Sequence, residues 1–172
     1  MRIFVKALVA LGTGLMMAAP AASAEAAAAG GNSGWVPTRT PSFTLPAGAA
    51  CSFELHGEVV YDHELTRVLR TFPDGSPEVQ EFQGALGVVY TNVESGASAR
   101  RDGSGTLRAT RDGNGGTEFV FEGNGIAPIF AGSSSPGIYV VSGHIVLVAH
   151  PDGSREFTEV QGTVENMCET LA

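Results

Sequence analysis

The stretch CSFELHGEV, residues 51–59, alternates between apolar and polar side chains. This period of two residues is typical of a β-strand with one buried face, because successive side chains of a strand point to opposite sides. The stretch therefore predicts that the folded part of the chain starts with a strand at Cys51. Its buried face would carry Cys51, Phe53, Leu55 and Val59, and its solvent face Ser52, Glu54, His56 and Glu58.

Four Asp-Gly pairs divide the rest of the chain into short segments. An Asp-Gly pair between alternating runs is a strong signal for a β-hairpin, because both residues tolerate the positive φ of a type I′ turn. We therefore expect neighbouring strands to be antiparallel and joined by tight turns. The pairs are Asp74-Gly75, Asp102-Gly103, Asp112-Gly113 and Asp152-Gly153.

Eight segments between such turns have the composition or the alternation of strands. Residues 138–149 are apolar on both faces and are expected at the centre of a sheet. Only residues 165–171 and 63–70 allow a helix instead. The pattern predicts an all-β domain over residues 51–172, a single antiparallel meander of about eight strands that forms a closed barrel of the lipocalin or barrel-cyclase kind or a two-sheet sandwich. The segments are 51–59, 64–72, 79–91, 97–101, 106–111, 117–122, 138–149 and 155–164.

The chain has two cysteines, Cys51 at the start of this domain and Cys168 near its end. In a barrel the first and last strands are neighbours, so the two sulfurs reach bonding distance. We expect a Cys51–Cys168 disulfide, as is usual in exported proteins. Closing a loop of this length restricts the unfolded chain by roughly 4–5 kcal/mol in the entropy model.

The first 24 residues have the features of a cleavable signal peptide. Arg2 and Lys6 form a positive start, an apolar run covers residues 7–19, and Ala22-Ser23-Ala24 supplies the small residues that signal peptidase requires. The run is shorter than the roughly 20 residues that span a bilayer. We predict cleavage after Ala24, a secreted mature protein and no membrane span in the mature form.

Residues 25–50 are rich in alanine, glycine and proline. A stretch of this kind buries too little apolar surface to offset the entropy of ordering it. It is therefore predicted to be a disordered leader. Trp35 within it is expected to pack on its own domain or to remain in solvent.

The charge of the chain excludes several classes of partner. The sequence has 10 basic and 18 acidic residues, and removal of Arg2 and Lys6 leaves a mature net charge of −10. Such a chain is a poor ligand for nucleic acids, since affinity for them comes mainly from cationic contacts with phosphate. Without Lys6 no lysine remains, which excludes Schiff-base chemistry on a lysine side chain.

No catalytic residues, metal site or cofactor are predicted. A Gly-x-Ser-x-Gly nucleophile motif is absent from the sequence. The pairs Glu54 with Glu58 and Glu118 with Glu122 are four residues apart on a strand, about 13 Å, which exceeds the roughly 5–9.5 Å between the carboxyl groups of glycosidases. The four histidines lack metal-ligand spacing, and the face of Glu54, His56 and Glu58 is expected to be solvated.

Three local signatures occur together. Pro46-Ala47-Gly48 precedes Cys51-Ser52-Phe53, residues 91–96 read TNVESG, and residues 168–171 read CETL. The arrangement resembles a group of small, exported, uncharacterised proteins of actinobacteria, over most of residues 46–171. The resemblance implies export and an all-β domain, and it carries no functional residues.

Two functional classes are consistent with the sequence. The first is a secreted, non-catalytic module that binds a small molecule, a glycan or an extracellular protein at the mouth of the β domain. The second is a cyclase or isomerase of the barrel type that acts on a small apolar substrate, with a tyrosine pointing inward beside a buried carboxylate. Aromatic side chains on alternating strands are the candidate ligand-binding residues: Tyr61, Tyr90, Phe119, Phe121 and Tyr139.

Cleavage of the signal peptide is tested on protein recovered from the medium of an exporting host. We expect the mature chain to start at Glu25, because signal peptidase reads the small residues at −3 and −1. N-terminal sequencing and intact mass give the answer. A secreted chain that retains Met1 would contradict the prediction.

Overall fold

A computed structural model describes residues 34–172, which form nine strands and one short helix. The predicted all-β class is therefore confirmed. The strands are β1 (Val36–Pro37), β2 (Phe43–Leu45), β3 (Leu55–Thr71), β4 (Pro77–Asn92), β5 (Ser98–Asp102), β6 (Gly105–Arg111), β7 (Thr117–Ile129), β8 (Gly137–Ala149) and β9 (Arg155–Asn166), and the helix is α1 (Met167–Thr170).

All strand pairs are antiparallel, and the nine strands belong to one sheet. The order is β1-β3-β4-β6-β7-β8-β9, with β2 also paired to β3 and β5 to β4. Within the described residues, no backbone pairing joins β9 to β1, β2 or β3. The meander is therefore confirmed, whereas the sheet is neither closed into the predicted barrel nor divided into the two sheets of a sandwich.

Two predicted strands, residues 51–59 and 64–72, are one continuous strand, β3, that starts only at Leu55. A register shift between Val59 and Tyr61 shows a β-bulge at this point, so that Val59 pairs with Val88 and Tyr61 with Gly87. A bulge adds one residue to a strand and exchanges the faces beyond it. Because of this exchange, Asp62 lies directly across from Leu86, a core residue of the neighbouring strand β4.

The leader is ordered from residue 34 onwards, which differs from the predicted disorder of residues 25–50. β1 pairs with Leu65 and Thr66, and β2 pairs with residues 55–57 of β3. The Arg67 guanidinium lies 4.4 Å from the ring centre of Trp35. The composition of residues 34–50 does not reveal this order, because the hydrogen-bond partners of the segment lie on the edge of β3, later in the chain. Residues 25–33 and the predicted signal peptide lie outside the described residues.

The four Asp-Gly pairs all lie at turns between strands, as predicted, but the turns are not of type I′. Among residues 34–172 only glycines have positive φ, whereas a type I′ turn requires positive φ at both central residues. Each aspartate instead accepts a hydrogen bond from the backbone N–H two residues later, the pattern of an Asx turn. The bonds are Ser76 to Asp74, Ser104 to Asp102, Asn114 to Asp112 and Ser154 to Asp152, at 2.7–2.9 Å.

Five glycines face one another across five neighbouring strands. A Cβ on Gly162 would lie 1.9 Å from the carbonyl oxygen of Ser142, and one on Gly84 would lie 2.3 Å from that of His63. The backbones are therefore closer here than any side chain allows. The glycine row, running from β4 to β9, comprises Gly84, Gly105, Gly123, Gly143 and Gly162, and all except Gly105 have positive φ.

The sheet folds along the glycine row. Phe121 precedes the row in β7, yet a Cβ on Gly125, beyond the row, would lie 2.4 Å from its ring and 3.3 Å from Val141. Side chains from both sides of the row thus pack together in one apolar cluster. Its buried members are Phe121, Ala127, Ile129, Val141, Ile145 and Leu147.

A second apolar cluster joins β3 and β4 to the C-terminal end of the chain. Ile138 of β8 belongs to it, while Val141 and Ile145 of the same strand belong to the cluster at the glycine row. This division explains why residues 138–149 are apolar on both faces, and it confirms their interior position between β7 and β9. The buried members are Ala50, Cys51, Phe53, Leu55, Leu86, Val88, Tyr90, Ile138, Met167 and Leu171.

The predicted disulfide between Cys51 and Cys168 is present, with the two Cα atoms 5.1 Å apart. It links the loop before β3 to α1, which lies within the stretch predicted to allow a helix. Nearby, the Asn92 side chain donates a buried hydrogen bond of 3.0 Å to the carbonyl of Leu171. Covalent and side-chain contacts therefore tie the two ends of the sheet where backbone pairing does not.

The glycine row is tested by comparing Gly162→Ala with Gly75→Ala. Gly75 also has positive φ, but a Cβ there meets nothing within 4 Å. We expect Gly75→Ala to cost about 1–2 kcal/mol of unfolding free energy, and Gly162→Ala roughly 3 kcal/mol or more, since β8 and β9 must separate. Chemical denaturation measures both. Equal losses would show that close backbone approach does not constrain the sheet.

Candidate functional site

A cavity of about 540 Å³, partly open to solvent, lies between the sheet and the segment that precedes β3. We call residues 38–45, which include β2, the strap. One side of the cavity is lined by the strap, and the remaining walls come from β3, β4, β6, β7, β8 and the turns next to them. The volume is within the range of roughly 300–1,000 Å³ that is typical of small-molecule sites.

The walls of the cavity are mainly apolar, and four phenylalanines contribute to them. Phe43 comes from the strap, Phe82 from β4, Phe121 from β7, and Phe130 from the residue after β7. The Phe43 ring lies over Gly57, where a Cβ would be 2.4 Å away from it. Gly57 therefore provides the space in which Phe43 packs. Leu45, Leu86, Leu107, Ile126 and Ile138 complete the apolar surface.

The strap is held against β3 by Asp62 and Glu64. The backbone N–H of Thr40 donates to Oδ2 of Asp62 at 2.7 Å, and the Thr40 hydroxyl donates to Oε2 of Glu64 at 2.6 Å. The N–H of Thr38 donates to the Glu64 carbonyl at 3.0 Å, and the Arg39 guanidinium donates to the Asp62 carbonyl. Two acidic residues beyond the bulge thus position the wall of the cavity.

Asp62 is 8% exposed and ionises more readily than an ordinary aspartate. Burial raises its pKa, but hydrogen bonds from the N–H groups of Glu64 and Thr40, with the charge of Arg39, outweigh burial and lower the pKa overall. A lowered pKa means that the stabilisation exists above the pKa of the unfolded chain and is lost as the pH falls through the folded value. Acid is therefore expected to weaken the attachment of the strap.

Polar groups line part of the cavity rim. Among the lining residues in the described part of the chain, Arg39 is the one base and Glu64 the one acid. Glu64 is half-buried and forms no ion pair with any residue of 34–172. Asn124, on the β7 side, donates to Asp102 at 3.3 Å. The lining can therefore bind an apolar body and one polar or charged group.

Two of the five predicted ligand-binding residues, Phe121 and Tyr90, are buried, and only Phe121 lines the cavity. Tyr90 is fully buried in the cluster around the disulfide, 6.4 Å from the Phe43 ring. Its hydroxyl has no hydrogen-bond partner among the described residues, and burial raises its pKa.

The other three predicted residues do not line the cavity. The Tyr61 hydroxyl donates to Asp102 at 3.3 Å, and its ring lies 5.3 Å from the Arg100 guanidinium. Phe119 and Tyr139 pack beside the cluster at the glycine row. Tyr139 also stacks edge-on against Phe157 at 5.2 Å, and its hydroxyl donates to the Ser135 carbonyl.

Sequence reasoning missed most of the residues that line the site. Phe82 and Leu86 are in phase on β4 with the core residues Val88 and Tyr90, and this alternation is a signal that could have identified them. Phe43 and Leu45 also alternate, with Thr44 exposed between them. Glu64 and Asn124 have no local signal, because the bulge in β3 and the fold at the glycine row decide which way they face.

The histidine and acidic side chains of the outer surface pair locally. His56 contacts the Thr44 hydroxyl through Nδ1 at 3.0 Å, and His144 contacts Glu122 at 2.6 Å. The hydrogen bond and the charge of Glu122 raise the pKa of His144. No group of three or more histidine, cysteine, aspartate or glutamate residues within 34–172 has the arrangement of a metal site.

In the part of the chain that the structure describes, no helix has the length and apolar character needed to cross a membrane.

Comparison with known proteins finds no match among protein-family models, curated proteins or solved structures. The interpretation of the cavity therefore depends on its own geometry and chemistry.

The attachment of the strap is tested by trypsin cleavage after Arg39, which is exposed in the strap. Asp62→Ala removes the acceptor of the Thr40 N–H, so we expect cleavage about tenfold faster than in the wild type, because a lost hydrogen bond to a charged group raises the population of the open strap. Asp152→Ala, in the β8–β9 turn, is the control and should leave this site unchanged. Equal rates in all three proteins would contradict the attachment.

Proposed function

We propose that this protein is an exported binding protein that holds a small, mainly apolar molecule in the cavity between the strap and the sheet, without converting it. The observation that carries the proposal is the cavity of about 540 Å³ with apolar walls. Protein cores are packed so closely that few voids exceed the size of a water molecule. A space of this size beside an intact core is suited to a ligand.

The lining favours a small apolar molecule over a glycan or a protein. A glycan is recognised through many hydrogen bonds to its hydroxyl groups, whereas most of this surface is aromatic or aliphatic. A protein partner would need an extended face, and this site is concave. The few polar groups at the rim suffice to orient a ligand with one polar end.

Export is part of the proposal. The signal-peptide features of residues 1–24 and the Cys51–Cys168 disulfide support it together, since disulfides persist mainly in oxidising compartments. The ligand is therefore expected to be present outside the cell.

The cyclase or isomerase alternative requires a tyrosine beside a buried carboxylate inside the domain. Tyr61 contacts the carboxylate of Asp102, but neither residue lines the cavity. Tyr90 is buried but has no polar partner among the described residues. Binding is thus the function that the geometry supports best.

Titration with an uncharged naphthalene fluorophore tests the proposal. We expect saturable enhancement of its fluorescence and, at 100 times the dissociation constant, about 2.7 kcal/mol of added stability. Ile126→Trp fills the cavity from β7 and should abolish the enhancement while the protein remains folded. Val93→Trp, at a position that is 50% exposed, is the matched control.

Enhancement that survives Ile126→Trp would place the probe elsewhere on the surface. A lack of saturable binding by the wild type, for this probe and for a panel of uncharged apolar compounds, would contradict the proposed function.

A further inference from the structure

We propose that the cavity is selective for a hydrophobic organic cation, an amine with an apolar body, and that the carboxylate of Glu64 receives its ammonium group. This inference rests on the function proposed above and specifies the chemical class of the ligand. It depends on the hydrogen bonding of the Glu64 carboxylate, on the charged residues that line the cavity and on the aromatic side chains of the cavity walls.

The Glu64 carboxylate lines an apolar cavity and has one hydrogen-bond donor, the Thr40 hydroxyl, among the described residues. A carboxylate offers about four acceptor positions on its two oxygens, so Glu64 retains capacity for a ligand. Across the sheet from Glu64 lie Gly84 and then Gly105, the first two members of the glycine row.

Arg39 and Glu64 are the two charged residues that line the cavity, and Glu64 forms no ion pair within residues 34–172. Arg39 donates to the Asp62 carbonyl, and its charge also lowers the pKa of the Asp62 carboxylate. Arg39 is thus engaged with Asp62 rather than with Glu64. A carboxylate with free acceptor positions is best complemented by a group that carries a positive charge and N–H donors.

Three of the four phenylalanines support the same sign of charge. The face of an aromatic ring is negative and attracts cations within about 6 Å of its centre. Phe43, Phe82 and Phe121 contribute to the cavity walls, whereas the Phe130 ring already has the Arg155 guanidinium 5.4 Å from its centre. Aromatic walls together with a carboxylate are well suited to an organic cation, whereas a carboxylate ligand would meet Glu64 as a like charge.

The charge of the whole chain favours the approach of such a ligand. The net charge is −8 at pH 7, and a field of one sign raises the local concentration and the association rate of oppositely charged ligands. The selectivity should therefore weaken at high ionic strength, where exposed charges are screened within about 10 Å or less.

Three probes of equal chain length test the inference: n-octylamine, 1-octanol and octanoate, each below its micellar concentration and measured by isothermal titration calorimetry at neutral pH. We expect octylamine to bind about tenfold or more tightly than octanol, since a hydrogen bond to a charged group is worth roughly 10- to 100-fold in affinity. Octanoate should bind most weakly.

Glu64→Gln is the main variant, because glutamine keeps the shape and an acceptor for Thr40 while removing the charge. It should reduce octylamine binding to the level of octanol. Thr40→Val, which removes the hydroxyl but keeps the Glu64 charge, should retain the preference for the amine. Glu94→Gln, an exposed change of the same charge, controls for the net charge of the protein.

The outcomes separate this inference from the proposed function. Saturable octanol binding without an advantage for octylamine, or an advantage that persists in Glu64→Gln, would overturn the inference and leave the binding function standing. Failure of all three probes and of the uncharged fluorophore would overturn both.

Discussion

Close backbone contact along a row of five glycines shapes the sheet. At Gly162 a Cβ would lie 1.9 Å from the neighbouring carbonyl oxygen, a distance that no side chain can satisfy. Positive φ within strands interrupts the regular pleat, so a long sheet folds instead of extending as a flat ribbon. The fold along this row brings β7 residues from both sides into one cluster.

The ends of the sheet are joined without backbone pairing. The Cys51–Cys168 disulfide and the buried hydrogen bond from Asn92 to Leu171 tie them on one side. In the entropy model a loop of this length is worth roughly 4–5 kcal/mol, a large share of the stability of a typical domain. The edge of β3 is paired with β2 of the strap and not with β9. The strap therefore forms part of the cavity wall at a place where a closed barrel would have β9. The covalent link thus supplies stability that a continuous ladder of hydrogen bonds would otherwise contribute.

The bulge between Val59 and Tyr61 of β3 connects the fold to the site. Beyond it, Asp62 lies across from the core residue Leu86, and Glu64 lines the cavity. Asp62 is satisfied by the strap and by Arg39, whereas Glu64 keeps acceptor capacity and no ion pair within residues 34–172. Both residues fasten the strap, and Glu64 is also the acidic residue that lines the cavity.

Local sequence patterns determined the all-β class, the positions of the Asp-Gly turns, the interior position of residues 138–149 and the cysteine pair, because alternation and turn chemistry act over a few residues. Tertiary structure alone decided the rest. The composition of residues 34–50 indicates disorder, yet they are ordered because β3 offers a distant edge. Tyr61, Phe119 and Tyr139 share the aromatic character of Phe121 but not its place in the cavity. Alternation along a strand does not show which of its two faces is buried. A bulge, a glycine row or a neighbouring segment decides this, and each of these involves contacts between residues far apart in the chain.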